Sequence, residues 1–246
     1  MNGQLYLKGM VLSCMPVGEY DRRIVILTKE RGKVSAFARG ARRPKSPLVA
    51  ATNPFVSGIF EVYEGRDSYT VHSVHVSNYF ADLTNHLELV WYGYYFLEIA
   101  DYFSVENNDE RERLVLLYQA FRALLSGKFS LNLVRRIYEL KTLAINGDYP
   151  NVFLCRGCGT RDQLHTLCVD LRGVLCDHCR TEDGQYLPSV IYVMQYIIST
   201  ETAKVFSFQL EEETERRFSQ VIAEYYAIYV RHTFKSKVFL DMDGDI

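Results

Sequence analysis

The sequence predicts an α+β multidomain fold, in which a small five-stranded barrel precedes an all-α helical domain and a short module with paired cysteines is inserted among the helices. Three observations support this prediction. Strand-like runs fill the first 80 positions, apolar residues recur at helical spacing from about residue 82, and two Cys-x-x-Cys pairs interrupt the helical pattern. We therefore expect three parts: residues 1–80, residues 81–150 with 186–240, and residues 151–185.

The composition is that of an ordinary globular protein. The chain has 246 residues, of which 48% are hydrophobic and 24% are charged, so a mostly disordered chain is excluded. No stretch approaches the roughly 20 apolar residues that span a bilayer, and the N-terminus lacks the basic and apolar regions of a secretion signal. We expect a cytoplasmic protein.

Five runs rich in β-branched and aromatic residues predict the strands of the barrel. Glycine-containing segments at residues 29–32 and 64–67 join pairs of strands as hairpins, because glycine readily adopts the positive φ that tight turns need. Residues 40–54 carry three prolines and are expected to form an exposed loop. This arrangement favours the five-stranded oligonucleotide-binding barrel, or OB-fold. The predicted strands are residues 5–14, 22–28, 33–39, 55–63 and 69–76.

Helical periodicity follows the barrel. Residues 82–103 are apolar almost all round, which predicts a buried central helix. A second helix ends before Gly127, and a third spans residues 131–145 and is ended by Asn146-Gly147. Glycine is common just after the last residue of a helix. The last two predicted helices are residues 189–200 and 211–235.

Positive charge is concentrated near the N-terminus, although the whole chain has a formal net charge of −2. Residues 1–80 contain 11 basic against 6 acidic residues, whereas the remainder contains 17 against 24. Because phosphate binding depends on the local field, this distribution favours one nucleic-acid-binding patch; a solvated surface is the alternative. Its seven cations within 17 positions are Lys29, Arg31, Lys33, Arg39, Arg42, Arg43 and Lys45.

An aromatic residue lies inside this basic run. In an extended strand over residues 33–39, successive side chains alternate between the two faces. The face with small apolar residues is the natural one to bury, which leaves Phe37 between two cations on the solvent side. A nucleic-acid base could stack there while its phosphates meet the charges. The solvent-side residues are Lys33, Ser35, Phe37 and Arg39.

Four of the six cysteines form a two-knuckle pattern: Cys155-x-x-Cys158, seventeen residues, then Cys176-x-x-Cys179. Two such turns can point four thiolates at one ion, so the spacing predicts one zinc ion, Zn(2+), per chain. Disulfides are disfavoured because nothing marks the protein as secreted, and a redox pair would not explain the second copy.

A structural zinc is favoured over a catalytic one, because four thiolates fill the coordination shell. His165 and His178 are near enough in sequence to replace a cysteine ligand, but both are assigned as ordinary polar side chains. Cys168 and Cys14 are assigned as buried thiols.

Motifs of catalysis are missing from the sequence. No G-x-x-x-x-G-K-[ST] phosphate loop, G-x-G-x-x-G fingerprint, G-x-S-x-G elbow or His-Glu-x-x-His helix occurs. We therefore expect that the protein is not an enzyme. A zinc-dependent enzyme with the barrel as substrate domain is the alternative, and an exchangeable water on the metal would favour it.

The assembled sequence resembles the RecO family of bacterial recombination mediators over nearly its full length. The resemblance is most specific in the N-terminal part, and it includes the zinc module that many members carry. The matching segments are GEYDR at residues 18–22, LTKERGK at 27–33, FARGARRPKS at 37–46, Pro54-Phe55, RRIYEL at 135–140 and KSKVFL at 235–240.

The resemblance implies a role in homologous recombination and DNA repair. Members bind single- and double-stranded DNA and anneal complementary strands. They work with the partner RecR to load the RecA recombinase onto DNA coated by single-stranded DNA-binding protein (SSB), and their helical domain recognises the acidic C-terminal tail of SSB. Another nucleic-acid module, a barrel with a zinc ribbon from a replication or translation protein, is the alternative.

The resemblance also implies roles for individual residues. Arg135 and Arg136 are candidates for the SSB tail, because guanidinium groups suit a carboxylate. Arg135 could instead pair with Glu139 four residues later on the same helix. The expected DNA-binding residues are Arg42, Arg43 and Lys45, with Arg39 and Phe37 beside them and Lys33, Arg22 and Arg23 as further candidates.

Overall fold

A closed β-barrel forms the N-terminal part of the computed structural model, which describes residues 3–66 and 68–241. Within the described residues, five strands pair in the order β1-β2-β3-β5-β4, and β4 pairs back to β1. This is the OB-fold that the sequence predicts. Asp67 of the expected β4–β5 turn lies outside the described residues. The strands are β1 (Gln4–Val17), β2 (Asp21–Thr28), β3 (Gly32–Ala38), β4 (Ser57–Glu64) and β5 (Tyr69–Asn78).

The barrel closes where β3 and β5 run parallel, through the pairs Ala36–Tyr69 and Phe37–Thr70. Side chains of β3 alternate between buried and half-buried positions, as its sequence predicts. The buried side chains fill the barrel with a single apolar core. Its members are Leu7, Val11, Ile24, Ile26, Val34, Ala36, Ala38, Ala41, Leu48, Val56, Phe60, Val62 and Val71.

The segment between β3 and β4 is more structured than the sequence suggested. It contains a single helical turn, α1 (Leu48–Ala51), with both end residues buried. Ala41 and Leu48 belong to the barrel core. The expected exposed loop over residues 40–54 is exposed at its charged residues, whereas apolar side chains such as Ala41 and Leu48 are drawn into the barrel.

Two long helices follow the barrel, after a 3-10 turn at Ala81–Asn85: α2 (Leu87–Phe103) and α3 (Arg111–Ser126). Helix α2 is not buried on all sides, since Leu87 is 67% exposed. Its inner side packs on Phe55, and the position of Gly93 leaves no room for a side chain, as a Cβ there would lie 2.8 Å from Cε1 of that ring. The solvent-facing side of α2 thus carries apolar residues. The sequence had predicted that these residues would be buried, as in a helix that is covered on all sides.

A second set of elements comprises helices α4 (Leu131–Asn146), α5 (Pro188–Ser199) and α6 (Glu212–Tyr229) with a small sheet. Helix α4 ends at Gly147, which has a φ of 81°. Helix α6 ends earlier than expected, because Val230 adopts an extended backbone. The sheet has the order β6-β8-β7-β9, formed by Asn151–Cys155, Gly173–Cys176, Leu164–Cys168 and Gln185–Tyr186.

The chain divides into two compact units. The first comprises the residues up to Leu125 together with those from Phe234 onward, where the short helix α7 (Lys237–Asp241) lies; the second comprises Ser126–Thr233. None of the described helices has the length and apolar composition that a membrane span requires.

Candidate metal centre and nucleic-acid interface

The four cysteines of the two-knuckle pattern converge at one end of the small sheet. Cys155 is the last residue of β6 and Cys176 the last of β8, and each strand is followed by a tight turn that carries the second cysteine. The four Sγ atoms all lie within 4.8 Å of one another. The fold therefore brings four sulfurs together, although the first and last of the four cysteines are more than twenty residues apart in the sequence.

This sulfur cluster fits a tetrahedral metal ion. Zn–S bonds of about 2.3 Å place the sulfurs of a tetrahedron about 3.8 Å apart. The Sγ atoms of Cys158 and Cys176 are separated by 3.7 Å, and all four cysteines are free thiols. The four cysteines could therefore hold one metal ion.

The backbone of the turns is organised around the sulfur of Cys155. The backbone N–H groups of Gly157 and Cys176 donate to this Sγ at 3.4 and 3.3 Å. Burial raises the pKa of the thiol, but these N–H groups and that of Cys158 outweigh burial and lower it to about 6. The pKa of Cys179 is raised to about 12, chiefly through hydrogen bonds with Cys158 and Cys176. The lower pKa of Cys155 thus favours its thiolate form over that of Cys179.

Glycine is needed in the first knuckle because the second knuckle packs against it. A Cβ at Gly157 would lie 3.0 Å from both Cβ and Sγ of Cys179. Gly159 has a φ of 77°, which favours glycine. Gly157 therefore allows the two knuckles to approach each other, and Gly159 allows the chain to turn after Cys158.

The other candidate ligands lie outside the sulfur cluster. The Nδ1 atom of His165 lies 3.0 Å from both carboxylate oxygens of Asp177. His178 is exposed, Cys168 is buried and Cys14, in the barrel, is half-buried. Among the described residues, the cluster of potential metal ligands contains the four cysteines and neither histidine.

The basic run lies on strand β3 and in the segment that follows it. Phe37 is half-buried on the solvent side of β3, directly opposite Arg23 of β2. Four cations, exposed to solvent, follow Phe37, and none forms an ion pair with a described residue. We call these four cations together with Phe37 the basic surface: Phe37, Arg39, Arg42, Arg43 and Lys45.

The other three DNA-binding candidates are engaged within the protein. The Nζ of Lys33 lies 3.3 Å from a carboxylate oxygen of Asp101 and donates to the carbonyl oxygen of the same residue at 2.7 Å. Arg22 donates to three acceptors of residues 49–53. Arg23 remains exposed and donates from Nε to the hydroxyl of Ser35 at 2.7 Å.

Tyr20, which the sequence analysis did not name as a candidate, lies next to the basic surface. It is 41% exposed, and the guanidinium carbon of Arg43 lies 5.2 Å from the centroid of its ring. A hydrogen bond with Glu19 raises the pKa of the Tyr20 hydroxyl. An aromatic residue immediately before the Asp21-Arg22-Arg23 run was the signal available in the sequence.

The two arginines proposed for a partner tail lie on α4 and share one carboxylate. The Nε of Arg135 lies 2.9 Å from Oε1 of Glu139, and Nη1 of Arg136 lies 2.8 Å from Oε2. Glu139 is fully buried, the Arg135 side chain is 5% exposed and the Arg136 side chain 13%. The pairing of Arg135 with Glu139 that the sequence allowed is therefore present.

We expect the substitution Glu139→Gln to destabilise the protein by about 3–5 kcal/mol, because it removes a buried negative charge that two largely buried guanidinium groups share. Urea unfolding measures this effect. Glu213→Gln is the matched control, since Glu213 also pairs with two arginines, Arg216 and Arg217, but is exposed, where solvent screens the charges. Equal losses in the two variants would contradict a special contribution from the buried pair.

Comparisons with known proteins agree with this architecture. The family model "Recombination protein O N terminal" matches residues 1–80, which include the barrel strands, and "Recombination protein O C terminal" matches residues 85–237, which include the four cysteines. Together the two matches cover most of the chain.

Individual relatives align along nearly their whole length. The DNA repair protein RecO of Acetivibrio thermocellus is 32% identical over 227 residues, which are 89% of this chain and 90% of the relative. The RecO proteins of Desulforudis audaxviator and Bacillus subtilis are 29% and 27% identical, covering 98% and 95% of this chain and 98% and 92% of their own. The chain belongs to the RecO family of recombination proteins.

Proposed function

We propose that this protein is a recombination mediator in DNA repair that binds single- and double-stranded DNA and anneals complementary strands. The observation that carries the proposal is the basic surface. Its four cations, Arg39, Arg42, Arg43 and Lys45, are exposed and without carboxylate partners among the described residues. Phe37 lies beside them on the OB-fold barrel. The relatives, named DNA repair proteins, support the same role.

Annealing needs a surface that reduces the repulsion between two phosphate backbones. Guanidinium groups bind phosphates through charge-assisted hydrogen bonds, and a dense set of cations can hold two strands at once. The half-buried ring of Phe37 offers a face on which a base can stack without sequence preference. Base pairing then supplies the free energy, so no nucleotide hydrolysis is needed.

The metal in this proposal is a structural zinc ion, one per chain. Cys155, Cys158, Cys176 and Cys179 would hold it, and four thiolates leave no open position for a reacting water. The zinc would fix the turns of the small sheet and take no part in chemistry. We therefore propose that the protein acts by binding and annealing, and not as an enzyme.

The proposed protein partners are RecR, with which the protein would help to load RecA on SSB-coated DNA, and the acidic C-terminal tail of SSB. A terminal carboxylate would find its best counterpart in arginines on the helical part of the chain. Arg136 is the more exposed of the two candidates on α4, and its Nε is buried without a hydrogen-bond partner among the described residues. Arg135 would act with it through the shared Glu139. We place this activity at cytoplasmic, nucleoid-associated DNA.

The test is the annealing of complementary oligonucleotides coated with SSB. We expect the protein to accelerate duplex formation both on bare strands and on strands coated with full-length SSB. With SSB that lacks its acidic tail, the acceleration on coated strands should be lost while annealing of bare strands is unchanged. No acceleration on bare strands would refute the annealing function, and equal acceleration with both SSB forms would refute recognition of the tail.

A further inference from the structure

The segment that carries the cations of the basic surface is anchored at its start by Asp21. We call residues 39–47 the basic loop. A carboxylate oxygen of Asp21 accepts a hydrogen bond from the backbone N–H of Gly40 at 2.7 Å. Two residues later, the backbone N–H of Arg42 donates to the carbonyl oxygen of Tyr20 at 2.8 Å. Gly40 has a φ of 65°, so the chain turns sharply at this anchor.

Arg22 anchors the other end of the same segment. Its Nη1 donates to the carbonyl oxygen of Val49 at 2.8 Å and to the side-chain oxygens of Thr52 and Asn53, each at 2.9 Å. A fork-shaped guanidinium is well suited to gather several acceptors in this way. Residues 49–53 lie one residue beyond the basic loop, so the loop is held between two adjacent residues of β2.

The centre of the basic loop is also attached to the barrel. Ala41 is fully buried, and Leu48, just after the loop, is 7% exposed; both belong to the barrel core. The side chains between them, Arg42, Arg43 and Lys45, point away from that core and are exposed. The loop therefore presents its cations from a fixed backbone, which lowers the entropy lost when they bind a phosphate chain.

We propose that Asp21 and Arg22 are positioning residues that hold the basic loop in its DNA-binding conformation, and that Arg22 does not itself contact phosphate. This inference rests on the proposed DNA-binding function of the loop. It assigns a carboxylate a favourable role in binding a polyanion, which electrostatics alone would not predict.

The sign of the effect at Asp21 separates positioning from charge. If Asp21 acts only through its charge, Asp21→Ala removes a repulsion and strengthens DNA binding. If Asp21 holds the loop, Asp21→Ala weakens single-stranded DNA binding about fivefold, the effect of losing one hydrogen bond. Asp21→Asn also removes the charge but keeps an acceptor oxygen, so it should retain at least the wild-type affinity. Fluorescence anisotropy with a labelled oligonucleotide measures all three proteins.

Limited trypsin digestion tests the anchoring without DNA. Trypsin cleaves after Arg39, Arg42 and Lys45 only when the loop opens, and the cleavage rate follows the population of open loop. We expect faster cleavage at these bonds in Asp21→Ala and Arg22→Ala, with an unchanged thermal unfolding midpoint. Arg23→Ala is the matched control, because the neighbouring Arg23 hydrogen-bonds Ser35 and not the loop.

The outcomes distinguish this inference from the proposed function. Tighter DNA binding by Asp21→Ala, or unchanged loop cleavage in both Asp21→Ala and Arg22→Ala, would overturn the positioning role. Faster loop cleavage without any loss of DNA affinity would keep the anchors but show that the loop is not the DNA-binding segment, which counts against the proposed function.

Discussion

Replacing Arg42 and Arg43 together by glutamate is expected to abolish single-stranded DNA binding and strand annealing. Each charge-assisted contact contributes about 1.5–3 kcal/mol, so the loss of two lowers affinity by at least about 100-fold. The reversed charges add repulsion. Both side chains are exposed, and the backbone N–H of Arg42, which anchors the loop, is unchanged by the substitution. The fold and the metal content should therefore stay as in the wild type.

The control for this variant changes the net charge equally at another place. Arg216 and Arg217 are an adjacent, exposed pair on α6, and both are paired with Glu213. Replacing both by glutamate changes the charge of the chain by the same amount. If binding depends on the local field of the basic surface, this second variant should retain most of its DNA affinity. Equal losses in the two double variants would show that only overall charge matters.

The salt dependence of binding counts the contacts. For single-stranded DNA, each neutralised phosphate contributes about −0.7 to the slope of log K against log salt. Four cations on the basic surface thus correspond to a slope of about −3. A single Arg42→Gln substitution should make this slope less negative by about 0.7. An unchanged slope would remove Arg42 from the phosphate contacts.

The substitution of Cys155 and Cys158 by serine is expected to have the largest effect on stability. Two of the four proposed zinc ligands are lost, and the binding free energy of a structural zinc ion, of the order of 10 kcal/mol, would also stabilise the fold around it. We expect elemental analysis to find no zinc in this variant and thermal unfolding to show a strongly destabilised second unit. DNA binding by the barrel should be retained in part.

Cys14→Ser is the control for the loss of a thiol as such. Cys14 is half-buried in the barrel and lies outside the sulfur cluster, so this variant should keep one zinc per chain. One equivalent of zinc in the Cys155→Ser, Cys158→Ser variant would contradict the ligand assignment. Normal stability without zinc would contradict its structural role.

Local periodicity made much of the barrel predictable. The alternation in β3 placed Val34, Ala36 and Ala38 inside and Phe37 outside, as observed, because successive side chains of any strand point to opposite faces. The same reasoning was less successful for α2. Leu87 and Tyr94 are apolar but exposed, since apolar composition alone does not say which side of a helix another element covers.

Spacing likewise made the cluster of four cysteine sulfurs predictable. Two Cys-x-x-Cys turns suffice to indicate four converging sulfurs, because each turn brings its two cysteines together without help from the rest of the chain. The contribution of Gly157 was not foreseeable in the same detail. A side chain at this position would be too close to Cys179, which belongs to the other knuckle.

The amino-acid sequence by itself determined the family, the barrel, the four-cysteine module and the concentration of cations near the N-terminus. Only the tertiary structure decided which of these cations face solvent. Lys33 and Arg22 were further DNA-binding candidates beside Arg42 in the sequence, but Lys33 pairs with Asp101, 68 residues away, and Arg22 holds residues 49–53. Strand faces and knuckle turns depend on neighbours a few residues apart, whereas the partner of a charged side chain is set by where distant segments meet.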